Sequence, residues 1–148
     1  MKIASNLEKV ISGYEDDRYL LGERGNDCTV VSLAAAFKMS YTAAHKMAGK
    51  YGRKTGRGML TPYFKNMYRD LEKKGRVRAL TGEEITTYYP STGKVRKNKL
   101  STFITNNPIG TFVLLVRGHA ITIEDGVILQ GFSPTNQYVK MGWKVVEG

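Results

Sequence analysis

Residues 27–37 read DCTVVSLAAAF, and this stretch decides the predicted fold. It is apolar on nearly every side from Val30 to Phe37, and a helix that is apolar all round is a buried helix. Asn26 or Asp27 supplies an N-cap, which places Cys28 in the first helical turn. We therefore predict a buried central helix that carries Cys28 at its start.

The patterns on either side of this helix change from helical to strand-like along the chain. The other predicted helices are 4–12, about 41–51 after the N-cap Ser40, a stretch from Thr61-Pro62 to Gly75, and 100–107. The predicted strands are 76–80, 111–116, 119–124, 126–132, 138–141 and 143–146, whereas 14–26 and 81–99 are predicted as loop. Helices followed by an antiparallel meander indicate an α+β fold, in a single domain over 1–148.

The composition is that of an ordinary folded chain. The 148 residues are 41% hydrophobic and 24% charged, which excludes wholesale disorder. One cysteine excludes an internal disulfide bond, no apolar run is long enough to span a membrane, and the N-terminus lacks the apolar core of a signal peptide. We therefore expect a protein of a reducing cytosol that does not enter the membrane.

The net charge of +10 is concentrated in one segment. Residues 38–78 hold twelve basic and two acidic groups, whereas 1–27 and 79–148 are close to neutral. This segment could bind nucleic acid or an acidic protein, with Tyr41, Tyr51, Tyr63 and Tyr68 as stacking platforms. Alternatively it is a solvated face whose tyrosines fill the core, and the charge alone leaves both alternatives open.

The loop GRKTGRG at 52–58 also has two interpretations. Its glycine N–H groups and its cations Arg53, Lys54 and Arg57 could form an anion-binding nest beside a cleft. Alternatively it is a flexible, solvated loop, and its residue order is not that of a Walker phosphate-binding loop. We expect the three cations, together with Gly118, to face a substrate.

Cys28 is the strongest candidate for chemistry. A thiol in the first turn of a helix lies beside unpaired N–H groups and the positive end of the helix dipole, which favours the nucleophilic thiolate. The alternative is a cysteine that behaves as a small apolar side chain of the core. Its position behind the polar loop ERGND, residues 23–27, favours the chemical role.

A nucleophilic cysteine needs a base, and the chain contains two histidines. His45 lies inside a predicted helix and is expected to be structural or solvent-facing, whereas His119 starts a strand, which holds a base rigidly. Asp125-Gly126 indicates a two-residue hairpin turn, whose register places Gln130 diagonally beside His119. We therefore expect Gln130 to be half-exposed and its amide oxygen to accept a hydrogen bond from one His119 ring nitrogen.

Three motifs resemble small phage-encoded proteins of the papain-like cysteine peptidase superfamily. They are GNDC at 25–28, GRKTGRG at 52–58, and RGHA followed by a DGV hairpin at 117–127, within a resemblance that spans 22–132. The resemblance implies a papain-like fold with Cys28 as the nucleophile, His119 as the base and Asn26 as part of an oxyanion hole. Gln130 stands where the family has an acidic residue or Asn, and an amide cannot stabilise an imidazolium as a carboxylate does.

The resulting prediction is a thiol hydrolase that cleaves a peptide, isopeptide or amide bond without a metal ion or other cofactor. The expected substrate is a protein or peptide of the host or the phage. The resemblance implies action in the host bacterial cytoplasm or in the virion. The alternative is a catalytically silent basic module that binds nucleic acid or an acidic host protein through residues 38–78.

Overall fold

The computed structural model describes the backbone of residues 2–3 together with residues 6–130 and 136–146. Within these residues, the α-helices are α1 Leu7–Val10, α2 Asp16–Leu20, α3 Cys28–Phe37, α4 Tyr41–Lys50, α5 Thr61–Lys73 and α6 Leu100–Asn106. The strands are β1 Lys2–Ile3, β2 Val77–Ala79, β3 Thr86–Tyr89, β4 Lys94–Lys97, β5 Thr111–Val116, β6 His119–Glu124, β7 Val127–Ile128 and β8 Val139–Val145. None of the described helices has both the length and the apolar composition that a membrane crossing requires.

The predicted buried helix is confirmed as α3. All of its residues after Cys28 are buried, and the helix ends at Lys38, which adopts left-handed backbone conformation. Helix α3 packs on β6, where the Thr122 hydroxyl donates a hydrogen bond to the Ser32 carbonyl at 2.7 Å. Packing and this buried hydrogen bond together hold the start of the helix in a fixed place relative to the sheet.

A six-stranded sheet forms the centre of the fold, in the order β1-β7-β6-β5-β8-β2. All its strand pairs are antiparallel except β1 beside β7, so the predicted α+β class is confirmed. Two tight turns set the register of the central strands. Arg117-Gly118 joins β5 to β6 and Asp125-Gly126 joins β6 to β7, and all four residues have the positive φ that two-residue hairpin turns of type I′ require.

Apolar side chains cover both faces of this sheet. On one face, Val113 and Trp143 pack with the buried residues of α3, α4 and α5. On the other face, Leu114 and Ile121 pack with Phe103 of α6. The sheet is therefore the middle layer of the fold, which explains why β5 and β6 are apolar along nearly their whole length.

Several predicted elements are wrong in extent or missing. The predicted loop at 14–26 contains α2, and the connection at 81–99 contains a 3-10 turn at Glu83–Ile85 and the separate two-stranded sheet β3–β4. These elements are short and largely exposed, so they lack apolar periodicity. In the described part of the predicted helix 4–12, the helix is α1, and residues 4–5 lie outside the described residues. Strand β7 ends at Ile128, and residues 131–132 of that predicted strand also lie outside the described residues.

The two last predicted strands are a single strand, β8, which runs through Gly142. The glycine does not interrupt the strand, and there is no room for a side chain at its position. A Cβ at this position would lie 2.5 Å from the Leu114 Cδ2 and 2.9 Å from the Val113 carbonyl oxygen. A residue that reads as a strand breaker in the sequence is therefore a packing requirement in the fold.

Gly142→Ala should destabilise the protein, because the added Cβ forces β8 away from β5. We expect the free energy of unfolding, measured by urea denaturation, to fall by about 1–3 kcal/mol. Gly49→Ala in α4 is the matched control, since its Cβ meets nothing within 4 Å. That variant should gain up to about 1 kcal/mol from helix propensity. Equal stability of Gly142→Ala and wild type would contradict the close approach of the two strands.

Candidate active site

A cleft of about 390 Å³ opens beside the start of α3, at the end of the sheet where β6 begins. Cys28 and His119 both line this cleft, together with Asn26, Gln130 and Gly118. The structure thus brings the four predicted catalytic residues and one predicted substrate contact to a single site. The helix supplies the thiol and the sheet supplies the imidazole.

Cys28 is the first residue of α3, and its side chain is half-buried. The first helical hydrogen bond runs from the Val31 N–H to the Asp27 carbonyl, so the N–H groups of the residues before Val31 have no acceptor within the helix. These groups and the helix dipole stabilise negative charge at the helix start. The position suits both a thiolate and the oxyanion that forms when a thiolate attacks a carbonyl.

His119 is the first residue of β6 and directly follows the Arg117-Gly118 turn. It pairs with Val116 at the end of β5, so its backbone belongs to the ladder between the two central strands. The His119 residue is exposed, which leaves the imidazole accessible to a molecule in the cleft. A short turn and a regular ladder hold this residue more firmly than a loop would.

Asp27 precedes Cys28 and is buried, yet it remains ionised. Arg18 donates to its two carboxylate oxygens at 2.7 and 3.1 Å, and the Tyr41 hydroxyl donates at 2.7 Å. Burial alone raises the pKa of Asp27, but the hydrogen bonds from Arg18 and Tyr41 outweigh burial and lower it. Burial and the hydrogen bond to Asp27 raise the pKa of Tyr41, which keeps the phenol protonated as a donor. The network fixes the residue from which α3 starts.

Glu23 is a second buried carboxylate in the same segment, with 2% of its surface exposed. Arg53 binds both carboxylate oxygens at 2.7 and 2.9 Å, the Gly56 N–H donates at 3.0 Å, and the His45 Nε2 lies 2.9 Å from Oε2. Burial alone raises the pKa of Glu23, but these partners, Arg53 first, outweigh burial and lower it. One buried ion pair thereby joins the polar loops at 23–27 and 52–58.

The predicted substrate contact at Arg53 is therefore wrong. Its guanidinium is buried against Glu23, and its Nη2 also donates to the Asn26 carbonyl at 3.2 Å. Arg53 does not line the cleft. His45 has the structural role expected of it, as a partner of Glu23. The sequence offered one signal for this network, namely opposite charges in two glycine-containing loops, and that signal does not identify which charges pair.

Asn26 lies between the two buried carboxylates, in left-handed backbone conformation with φ 59°. Asparagine adopts this conformation more readily than most residues do. The backbone carbonyl is held by Arg53, while the residue is exposed and lines the cleft. Its side-chain amide is therefore available to donate a hydrogen bond to a substrate oxygen.

Gln130 occupies the predicted register but not the predicted role. Leu129 donates its N–H to the Thr122 carbonyl at 2.8 Å, which continues the pairing set by the Asp125-Gly126 turn. Gln130 is buried, its Nε2 donates to the Ala120 carbonyl at 2.9 Å, and its Oε1 accepts no hydrogen bond within the described residues. The expected hydrogen bond from His119 to this oxygen is therefore absent. Within the described residues β7 ends at Ile128, and the Gln130 side chain donates to the Ala120 carbonyl.

Of the other predicted substrate contacts, Gly118 lines the cleft, whereas Lys54 and Arg57 do not line it and lie in the loop at 52–58. Lys54 and Arg57 are exposed, and neither forms an ion pair within the part of the chain that the structure describes. Gly58, which follows Arg57, lines the cleft, and so does the turn residue Gly118. A small apolar cavity of about 50 Å³ adjoins Cys28 between these two glycines and Phe64. The loop at 52–58, which we call the rim because Gly58 lines the cleft, thus carries exposed cations, and apolar side chains such as Phe64 and Leu115 line the small cavity beside the thiol.

The tyrosines of residues 38–78 do not form a stacking surface. Tyr41 and Tyr68 are fully buried, and Tyr51 donates its hydroxyl hydrogen to Asp70 at 2.7 Å. Of the four, Tyr63 alone is exposed. This arrangement agrees with the alternative in which the tyrosines fill the core, and it leaves the basic segment with exposed cations but few exposed rings.

No protein-family model, curated protein or solved structure matches this chain. The papain-like assignment therefore remains an inference from the motifs. The function has to be inferred from the chemistry of the cleft.

Glu23→Gln should destabilise the protein at neutral pH, because it leaves the Arg53 guanidinium buried without its anion. We expect the free energy of unfolding to fall by about 3–5 kcal/mol. The variant should also be less acid-sensitive. Folding lowers the pKa of Glu23 below its ordinary value of 4.5, so on acidification the carboxylate is protonated in the unfolded chain before it is protonated in the folded chain. Wild type therefore loses stability as the pH falls below 4.5, and Glu23→Gln lacks this loss. Urea denaturation at stepped pH measures both effects.

Glu83→Gln serves as the control for this experiment, since Glu83 is exposed and forms no ion pair within the described residues. It should leave both the stability and its pH dependence close to those of wild type. The same acid sensitivity in wild type and Glu23→Gln would show that Glu23 does not ionise against Arg53 in the folded chain.

Gln130→Ala should lower the free energy of unfolding by about 1–3 kcal/mol, because the Ala120 carbonyl loses its donor. Gln130→Leu keeps most of the side-chain volume and still removes the donor, so it separates the hydrogen bond from packing. We expect both variants to be less stable than wild type, with Gln130→Leu the milder, by urea denaturation. If Gln130→Leu matches wild type, the hydrogen bond to Ala120 contributes nothing to stability.

Proposed function

We propose that this protein is a papain-like thiol hydrolase that cleaves a peptide, isopeptide or amide bond, with Cys28 as the nucleophile and His119 as the base. The observation that carries the proposal is that one cleft is lined by a cysteine at a helix start and a histidine at a strand start. Nucleophilic acyl transfer needs such a pair, held by rigid elements. Because Gln130 donates to the Ala120 carbonyl, we assign the chemistry to the Cys28–His119 dyad and give Gln130 no part in orienting the imidazole.

In the proposed first step, the Cys28 thiol gives its proton to His119 while the sulfur forms a bond to the substrate carbonyl carbon. The developing oxyanion accepts hydrogen bonds from the backbone N–H groups at the start of α3 and from the Asn26 amide. The C–N bond then breaks, and the imidazolium gives its proton to the leaving amine. A thioester on Cys28 remains.

In the second step, a water molecule gives a proton to His119 and its oxygen bonds to the thioester carbonyl carbon. The C–S bond breaks, the sulfur takes the proton back from His119, and a carboxylic acid leaves. An amine in place of water would give amide transfer through the same thioester. The dyad therefore supports peptide hydrolysis, deamidation and transfer, and the nucleophile that resolves the thioester distinguishes them.

The charges around Cys28 support this chemistry. An unpaired carboxylate next to the cysteine would disfavour a thiolate. Asp27 is ionised but bound on both oxygens by Arg18, whose side chain also lines the cleft. The positive partner therefore offsets the carboxylate beside the nucleophile, and the N-terminus of α3 adds further positive potential.

Alkylation of Cys28 by iodoacetamide tests the proposed dyad. Cys28 is the only cysteine of the chain, so the intact mass reports its labelling directly. We expect labelling at neutral pH to be about tenfold or more faster than that of free cysteine, because the helix start and His119 favour the thiolate. His119→Ala should reduce the rate toward that of free cysteine.

Glu124→Gln is the matched control, because Glu124 ends the strand that His119 begins, about 16 Å away at 3.3 Å per residue. It should label at the wild-type rate. Digestion of a peptide mixture in isotopically labelled water, with Cys28→Ser as the blank, then shows whether the thioester is resolved by water. Labelling of wild type no faster than free cysteine, or unaffected by His119→Ala, would rule out the dyad.

A further inference from the structure

A second pocket, of about 340 Å³, lies beside the cleft and is lined by Arg117, Asn136, Gln137, Tyr138 and Lys140. We call it the Arg117–Lys140 pocket. Arg117 and Gly118 form one two-residue turn, and the turn separates the two cavities because Arg117 lines the pocket and Gly118 lines the cleft. Whatever occupies the pocket therefore lies next to whatever occupies the cleft.

The strand register gives the distance between the pocket and His119. Val116 of β5 pairs with His119 on one side and with Val139 on the other. Adjacent strands are about 4.8 Å apart, so Val139, the neighbour of Lys140, lies about 10 Å from His119. An extended peptide advances about 3.3 Å per residue. A side chain two or three residues from a bond held at Cys28 therefore reaches the pocket.

The pocket is positively charged. Arg117 and Lys140 are exposed, and neither forms an ion pair within the described residues. The ammonium group of Lys99 lies 5.9 Å from the ring centroid of Tyr138 and adds a third cation. No acidic residue lines the pocket among the residues described.

The acidic residues of this half of the chain are held elsewhere. The sequence contains no aspartate or glutamate from Ile85 to Ile123. Glu84 is bound by Arg78 at 2.7 Å, and Glu124, at the far end of β6, is bound by Lys38 at 2.8 Å. Among the described residues no acidic side chain forms an ion pair with Arg117 or Lys140, so these cations attract an anion from outside.

Two amide oxygens favour a peptide over a nucleic acid as the source of that anion. The Oε1 of Gln137 in the pocket and the Oε1 of Gln130 in the cleft have no hydrogen-bond partner within the described residues. A buried carbonyl oxygen without a donor is unfavourable. The main chain of a peptide brings an N–H donor beside each side chain except that of proline, whereas the phosphate groups of a nucleic acid are acceptors only and its donors are confined to the bases and sugars.

We propose that the Arg117–Lys140 pocket is a specificity subsite of the cleft and binds an aspartate or glutamate side chain of a peptide substrate, two or three residues from the bond that is cleaved. This inference rests on the proposed thiol hydrolase function and names its substrate class. The acidic side chain pairs with Arg117 and Lys140, and the cations of the rim steer acidic peptides to the site.

Peptidyl vinyl sulfones that alkylate a thiol provide the test. The probes come in pairs: one member carries glutamates at the second and third positions from the electrophile, and its glutamine partner carries glutamines there. Two series of such pairs are made, one with these positions on the acyl side of the electrophile and one with them beyond the sulfone. We expect the glutamate probe of at least one series to label Cys28 about fivefold to twentyfold faster than its glutamine partner. Arg117→Asn, which keeps a residue suited to positive φ, and Lys140→Gln should each reduce this ratio toward one.

Lys73→Gln is the matched control. It removes one exposed cation at the far end of α5, about 18 Å along the helix from Thr61, which lines the small cavity beside Cys28. The ratio of the two probes should stay at the wild-type value in this variant. Iodoacetamide labelling, which reports the reactivity of Cys28 itself, should be unchanged in Arg117→Asn and Lys140→Gln.

The outcomes separate the inference from the proposed function. Equal labelling by glutamate and glutamine probes in both series, with iodoacetamide labelling still fast and dependent on His119, would overturn the subsite and leave the hydrolase. If Cys28 is unreactive toward iodoacetamide, the pocket is tested by binding instead, with the fluorescence anisotropy of a labelled glutamate peptide that carries no electrophile. Binding that Arg117→Asn abolishes supports the acidic-peptide pocket, and no binding overturns it.

A single-stranded oligonucleotide provides the remaining comparison. If it blocks labelling by the probes at a lower concentration than the unreactive glutamate peptide does, and Arg117→Asn removes this block, the pocket serves phosphates and the proposal is wrong. A weaker block than that of the peptide supports the proposal.

Discussion

The buried ion pair between Glu23 and Arg53 is the contact on which the cleft depends. It joins the segment before Cys28 to the loop that follows α4, and Arg53 also holds the Asn26 carbonyl. An apolar pair of similar volume can be as stable as a buried ion pair. It could not accept the Gly56 N–H or bind the Asn26 carbonyl, however. We therefore interpret the pair as the contact that specifies the conformation of a polar segment without regular secondary structure, and Asp27 with Arg18 extends it to the first turn of α3.

The two candidate catalytic residues come from different layers of the fold. Cys28 belongs to a helix, and His119 belongs to a strand at the centre of the sheet. Their relative position is consequently set by the packing of α3 on β6, which includes the hydrogen bond from Thr122 to Ser32. Close-packed interfaces of this kind deform little. A substrate would therefore meet a preorganised pair, and the polar segment at 23–27 only has to place Asn26 correctly.

The parts of the fold that were predicted from sequence are those with a strong local pattern. The all-apolar stretch of α3, the short apolar runs of β5 and β6, and the Asp125-Gly126 turn each leave a signal within a few residues. The pairing of Glu23 with Arg53 leaves no such local signal, because it links charges thirty residues apart in two loops. For Gln130, the strand pairing predicted from the turn gave the correct position of the residue but not the partner of its side chain. Its amide donates to the Ala120 carbonyl, and the strand pattern contains no information about that hydrogen bond.

The net charge of each segment did not reveal the Arg117–Lys140 pocket. Arg117 and Lys140 share the nearly neutral segment 79–148 with acids such as Glu84 and Glu124, which the fold pairs with Arg78 and Lys38 instead.

The distribution of charge follows from how the fold treats its carboxylates. Glu23 and Asp27 are buried with arginines, and Glu84 and Glu124 are bound by Arg78 and Lys38. Asp27 neutralises Arg18, which lines the cleft, and the other three acids neutralise cations that do not line it. The exposed cations of the rim and of the Arg117–Lys140 pocket have no ion pair within the described residues. A basic composition alone predicts attraction to any polyanion. The cations of the Arg117–Lys140 pocket lie beside two amide oxygens that lack donors within the described residues, and a peptide offers an anionic side chain together with a main-chain N–H at every residue except proline, which is why we propose an acidic peptide rather than a nucleic acid.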